Sequence, residues 1–441
     1  MLNRWQDSYN SKLTTPQDAV KLISSGDSIV IPFSNGIPPA LMEALASRLN
    51  NSDIGDIQLW GGLNARASSI YDFDLADKML IINSFIGEHV RKGTQEGVFT
   101  FSPLRLSEFV RAVLLNPSPC TVVHQVAPMD EHGFFSTGTN CDYAWESAKV
   151  HPNRHHLILE VNEHMPRTFG NNQYHISEVS AVIENHQPLH CLADNGVQPI
   201  DETIGRYIAE KVEDGSCLQL GIGRIPNAVA RFLKDKKNLG VHTEMMVDAM
   251  MDLYEAGAIT CARKNFYPYR FIATFILGSQ KLYDFVNNNP MIEMLSATYV
   301  NNPAVIARND KVVSVNSTLE VDLGGQCNSE AIGYRPYSGT GGQLDFVQGA
   351  ARSRGGKSFL TLYSTYTDKQ GTPHSRIVPR LSDGGTVTVP RTDVDHVVTE
   401  YGIATLKGQH IRKRVEELIN IAHPDFRDQL RFEAKQMNYI P

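Results

Sequence analysis

Apolar residues along this chain come in short runs, separated by longer amphipathic stretches. Ser28 to Phe33, Asp56 to Trp60, Met79 to Ile82, Thr121 to Val126 and His156 to Val161 are such runs. Between them, as in Thr15 to Leu22 with Pro16 near its start and in Ala40 to Leu49, apolar positions recur at helical spacing. Short apolar strands alternating with helices predict a parallel sheet covered on both faces, an α/β fold. The alternation continues to the C-terminus. Helices are expected over Glu202 to Lys211 and Asn227 to Leu233, and from Lys281. Strands are expected at Leu218 to Leu220, Thr274 to Gly278, Val312 to Ser317, Phe359 to Tyr363 and Val394 to Thr399.

The pattern also starts twice. Ser25 to Ile31 running on to Gly36-Ile37-Pro38-Pro39-Ala40-Leu41 echoes Asp214 to Leu220 running on to Arg224-Ile225-Pro226-Asn227-Ala228-Val229. Both read as turn, strand, glycine-containing turn, Ile-Pro, helix. We expect two related α/β domains, 1–188 and 189–441, joined near His186 to Asp201. The halves differ after the next strand. The first runs into Trp60-Gly61-Gly62, whereas the second, Val241-His242-Thr243-Glu244-Met245, delivers a carboxylate.

Bulk composition narrows the class. The chain has 441 residues, 41% hydrophobic and 20% charged, enough for two ordinary domains. A net charge of −7 gives no reason to expect nucleic acid, although a local basic groove for a phosphorylated ligand stays open. Six scattered cysteines without a CxxC suggest reduced thiols and a cytoplasmic protein. The N-terminus lacks the apolar core of a signal peptide, and no apolar run is long enough for a membrane span.

Candidate chemistry gathers in the second half. Gly221 and Gly223 flank a bare turn before a helix expected to start at Pro226, and such a turn offers free N–H groups to an anion. Glu244, one βαβ step away, can reach the same end of the sheet. It reads as a covalent nucleophile whose oxyanion the turn would hold; the plain alternatives are a tight βα turn and a solvated glutamate. Ser338 to Phe346 places Gly339, Gly341 and Gly342 before a helix start, a ligand loop or a surface loop. Gly355-Gly356-Lys357-Ser358 resembles the end of a phosphate loop, but Ala351 stands where the full pattern needs glycine, so Lys357 meets a phosphate or is simply solvated. His151 to His156 lacks completing metal ligands, and Pro152 breaks a helical histidine face. His132 reads as a turn residue and Cys217 as core; no GxSxG is present. Glu400 ends an apolar strand and either faces the cleft or lies exposed.

Several longer motifs carry a family resemblance. GIGRIPNAV (Gly221 to Val229), HTEM with Asp248 and LYEAG beyond it, EVDLGGQCNSE (Glu320 to Glu330), GTGGQLDFVQGA (Gly339 to Ala350) and VTEYGIATLKG (Val398 to Gly408) follow in order. APMDEHGFFSTG (Ala127 to Gly138) and NEHMPRTFG (Asn162 to Gly170) extend the match through the first half. Together they resemble the acetyl-CoA hydrolase/transferase family, nearest its 4-hydroxybutyrate and butyrate CoA-transferases. The resemblance implies two CoA-transferase-type domains with the active site in the second. It implies Glu244 as nucleophile and Gly221, Ile222, Gly223, Arg224 and Ile225 as the CoA loop, with the Ile222 amide in the oxyanion hole. Gly341 and Gly342 match the second oxyanion and CoA loop, Asn316 a contact to the CoA arm, and Glu400 a supporting carboxylate. Arg224 departs from the small or polar residue associated with its place, which leaves its role open, a phosphate or a carboxylate contact among the readings. Coenzyme A is then substrate and covalent intermediate, with no permanently bound cofactor and no metal. Short-chain acids are the expected partners and a homodimer or larger the expected assembly. A hydrolase using the same glutamate remains the near alternative, and a non-catalytic ligand-binding protein the remote one.

Overall fold

The computed structural model describes residues 3–51, 54–193 and 196–441. Asp194 and Asn195, within the expected joint, lie outside the described residues. Contacts divide the chain into two compact units, Met1–Ala193 with Ile272–Val300, and Asp194–Phe271 with Asn301–Pro441. The division at 188/189 therefore misses one exchange, since 272–300 belongs with the first unit. The cause is long-range pairing. Glu293 and Met294 pair in parallel with Phe169 and Gly170, and Thr274 O accepts from the N–H groups of Cys141 and Asp142. Such pairing leaves no trace in local periodicity.

The first unit is built on β1 (Ser28–Val30), α1 (Pro39–Asn51), β2 (Ile57–Gly61), β3 (Met79–Asn83), β4 (Thr100–Phe101), β5 (Cys120–Val126), β6 (Arg154–Val161) and β7 (Ala181–Glu184). Its sheet has the order β7-β6-β5-β1-β2-β3-β4, and every pairing is parallel. α1 turns Leu41, Met42, Leu45 and Leu49 onto Ile29, Ile31 and Leu59 in one buried cluster. Each such side chain contributes about 1.5–3 kcal/mol by leaving water.

The second unit repeats the plan with α2 (Pro199–Lys211), β8 (Cys217–Leu220), α3 (Arg224–Arg231), β9 (Gly240–Val241), β10 (Val312–Ser317), α4 (Gln343–Arg352), β11 (Lys357–Thr361), β12 (His396–Thr399) and β13 (Gly402–Thr405). Its sheet runs β9-β8-β10-β11-β12-β13, parallel until the last, antiparallel pair. In both units the first strand of the repeat pairs in parallel with the strand that follows its helix on one side and with a later strand on the other, β1 between β2 and β5 and β8 between β9 and β10. The expected repeat is thus present at the level of topology, with the mainly parallel α/β architecture predicted from the alternation. α3 starts at Arg224 rather than Pro226; proline in a first helical turn is tolerated because its missing N–H has no helical acceptor there. α3 packs closely on α2, where a Cβ at Gly205 would stand 2.8 Å from Ala228 C and 2.9 Å from Val229 N. Only glycine allows this approach, and it fixes the helix that the glycine turn leads into.

Candidate active site

The parallel strands of the second unit end on one line. Leu218 is in register with Val241, Leu220 with Val315, Asn316 with Leu360, and Thr361 with Val398. The glycine turn follows β8, Glu244 follows β9, and Asn316 lies near the end of β10. Carboxyl ends of parallel strands are where open α/β sheets place their sites.

Glu244 stands three residues past β9, in a segment held by the Thr243 hydroxyl, which donates to Met245 O over 2.9 Å. The residue as a whole is partly buried, with its carboxylate on the inner side. Asn301 Nδ2 donates to Glu244 Oε2 over 2.6 Å, and the Gly342 N–H donates to the same carboxylate. Gly342 caps α4, so the carboxylate meets the positive end of a helix. The fit is tight: a Cβ on Gly342 would lie 2.0 Å from Glu244 Oε2 and 2.2 Å from Asn301 Nδ2. Gly342 is required here for space rather than conformation, since its φ is −96°. Burial pushes the Glu244 carboxyl up from 4.5 to about 7; the Asn301 amide opposes this, the charge of Asp345 adds to it, and the Gly342 N–H opposes it. The result is a carboxylate more basic than a solvated one, yet held by two donors. That suits attack on a carbonyl carbon.

The glycine turn is open. Gly223 adopts φ 120°, a conformation L side chains rarely take, and Ile222 is 48% exposed. Gly221 N–H donates to Val315 O, while no protein acceptor stands opposite the Ile222 and Gly223 N–H groups among the described residues. Ile225 is buried and anchors α3. Arg224, whose role the motif left open, leans back over the strand ends. Its Nη2 donates to Tyr363 Oη over 3.1 Å, and its Nε lies 3.7 Å from Asp201 Oδ2.

The remaining expected residues separate into distinct settings. Asn316 exchanges two 3.0 Å amide bonds with Gln219 and donates to Ser314 Oγ, so its amide braces β8 against β10. Gly339 and Gly341 precede the cap of α4, Gly341 at φ 51°. Gln343 ties this loop to Ser317 O over 3.1 Å. The Glu400 oxygens accept from the N–H and hydroxyl of Ser364. Lys357 is not brought to the strand-end row. It opens β11, four residues before the carboxyl end and so about 13 Å away, where Glu213 pairs with both Lys357 and Lys311 at 2.8 Å. An ion pair at the opposite end of the strand occupies the lysine proposed for a phosphate.

Sequence reasoning missed Asn301, the direct partner of Glu244. It sits in Val300-Asn301-Asn302-Pro303, which reads as an ordinary turn, and Asn302 indeed caps the helical turn that follows, accepting from Ala304 N. Asp345, buried in the first turn of α4, was also missed. Tyr363 and Asp201, which hold Arg224, carry no motif that would single them out.

Comparison with known proteins now bears on this geometry. The acetyl-CoA hydrolase/transferase N-terminal domain matches residues 2–192 and the corresponding C-terminal domain residues 278–434. The chain belongs to the acetyl-CoA hydrolase/transferase family. It is 44% identical to a succinyl-CoA:cyclohexane-1-carboxylate CoA transferase of Geobacter metallireducens, over 99% of this chain and 98% of that one. It is 41% identical to a 4-hydroxybutyrate coenzyme A transferase of Clostridium kluyveri, over 98% and 99%. The crystal structure of RipA from Yersinia pestis superposes with a TM-score of 0.91 at 39% identity, covering 99% of this chain and all of that one. These full-length relatives bear out the family resemblance and the expected fold, and the chain is an enzyme of the transferase side of the family. Relatives named acetyl-CoA hydrolase align over less of it, 47% and 60% of the chain.

Proposed function

We propose that this enzyme moves coenzyme A from a short-chain acyl-CoA of the butyryl or 4-hydroxybutyryl type to a second carboxylate such as acetate, through a thioester on Glu244. The observation that carries the reading is the Glu244 carboxylate itself, presented at a strand end between the Asn301 amide and the Gly342 N–H.

A Glu244 oxygen attacks the thioester carbonyl. The C–S bond breaks, leaving an acyl-glutamyl anhydride and the CoA thiolate. The thiolate then attacks the glutamyl carbonyl, the first acid leaves as its carboxylate, and CoA remains on Glu244. A second carboxylate enters, and the two steps run in reverse. Covalent intermediates divide one difficult exchange into easier ones. Each addition generates an oxyanion, for which the Ile222 and Gly342 N–H groups are the proposed donors; one such donor is worth about 3–4 kcal/mol. The long CoA arm supplies binding energy remote from the reacting carbon, with the glycine turn and the 339–342 loop as its proposed contacts. CoA enters as a substrate, and the enzyme is proposed to work as a homodimer or larger in the cytoplasm, where its six free cysteines stay reduced.

The reading is tested by following butyryl-CoA with and without acetate while titrating free thiol. Acetyl-CoA formed only with acetate, without net thiol, is expected. Thiol release independent of acetate would replace the transferase by a hydrolase.

A further inference from the structure

Arg224 opens α3 at the glycine turn, and its side chain is set by two residues that no motif marks. Asp201, fully buried on α2, accepts from Tyr363 Oη over 2.5 Å and, through its other oxygen, from the Gln198 N–H over 2.8 Å. Each oxygen of this carboxylate therefore has a hydrogen-bond donor without the arginine. The Arg224 Nε stands 3.7 Å away, outside hydrogen-bond range and unlike the bidentate fork of a structural arginine–carboxylate pair. Nη2 donates to Tyr363, whose ring centroid lies 5.9 Å from the guanidinium carbon. Nη1 has no partner among the described residues, and the side chain keeps 35% of its surface exposed. A guanidinium fixed in direction but with donors unspent, next to a turn with two unpaired N–H groups, is preorganised for an oxyanion.

We propose that Arg224, aimed by Tyr363 and Asp201, is a specificity residue that engages an anionic oxygen group of a substrate. That group is a phosphate of CoA or the second carboxylate of a dicarboxylic acid. The inference rests on the transferase reading above. It names a contact that a neutral side chain at this place would not make.

Two pairs of substrates distinguish the sources. As donors, butyryl-CoA is compared with butyryl-pantetheine, which lacks every CoA phosphate. As acceptors, succinate is compared with acetate. Arg224→Gln is expected to raise KM about tenfold or more for the partner bearing the contacted anion, with a smaller change in kcat. For the counterpart lacking that anion the effect should vanish. A rise confined to butyryl-CoA assigns the phosphate; a rise confined to succinate assigns the carboxylate. Arg224→Lys, which keeps the charge but loses the fork, should recover part of the loss, and Tyr363→Phe should show the same pattern more weakly. Unchanged KM values, or an equal rise for all four substrates, would overturn the proposal and leave a structural contact. Wild-type protein that transfers nothing from butyryl-CoA would overturn the reading beneath and this one with it.

Discussion

The two βαβ units, β1–α1–β2 and β8–α3–β9, share strand order and direction but end differently. In the first, the turn Ser34–Gly36 is buried, and its Asn35 amide is satisfied from within. Asn35 Nδ2 donates to His190 O over 3.0 Å and to Tyr283 Oη over 2.9 Å, and Asn35 Oδ1 accepts from His190 N over 2.8 Å. The place after its second strand is filled: a Cβ on Gly62 would lie 2.0 Å from the Phe33 ring. In the second, the turn is exposed with N–H groups unspent, and the place after the strand carries Glu244. One scaffold therefore yields a packed end and an open end. What separates them is a few residues beyond the strands, not the strands.

The sharpest way to break this contrast is Glu244→Gln. It should lower transfer by about 10⁴-fold or more, as loss of a covalent nucleophile does, and leave the protein folded. The raised carboxyl adds a sign for stability. Its ionisation favours the unfolded chain between 4.5 and about 7, so wild-type stability from this group falls as pH rises through that window. Glu244→Gln should therefore melt no lower than wild type at pH 8, measured by calorimetry.

Gly342→Ala follows, because its methyl would collide with both Glu244 and Asn301. The N–H at 342 remains, but the clash moves it away from the carboxylate; a fall in kcat of about 10²–10³ is expected, the scale of one displaced oxyanion donor. Asn301→Ala comes next. It removes a donor that stabilises the Glu244 carboxylate. The pH–rate profile of the wild type should rise through about pH 7 as Glu244 ionises, and in Asn301→Ala the rise should shift to higher pH, with activity at pH 7 down about tenfold. The smallest effect on rate belongs to the packed end. Asn35→Ala takes the acceptor from the His190 N–H, while His190 O and Tyr283 Oη keep each other, and should cost about 1–3 kcal/mol in urea unfolding, with kcat unaltered. A large loss of kcat there would mean that the first repeat is also catalytic.

Much of this could be read from residues in order. Period and apolar runs located the strands and α1, and the echo of Ser25 to Leu41 in Asp214 to Val229 announced the repeated topology. Glu244 and the glycines are read from the strand, glycine turn, helix and strand of the second half, and the echo adds that the first half has Gly61 and Gly62 where this one has a carboxylate. What stayed hidden depends on pairing between distant segments. Residues 272–300 joined the first unit through Phe169 and Gly170. Asn301 looked like a turn, and its amide gains meaning only where α4 brings Gly342 against the same carboxylate. Lys357 misled because a phosphate-loop ending is local, whereas Glu213, 144 residues earlier, decides its setting.

The most direct test of the account is to incubate the protein with butyryl-CoA in the absence of an acceptor acid, digest it, and locate any CoA adduct by mass spectrometry. A thioester on the peptide containing Glu244, absent from Glu244→Gln and discharged by acetate with formation of acetyl-CoA, is the predicted result. An adduct on another residue, or turnover with no adduct in the wild type, would contradict it.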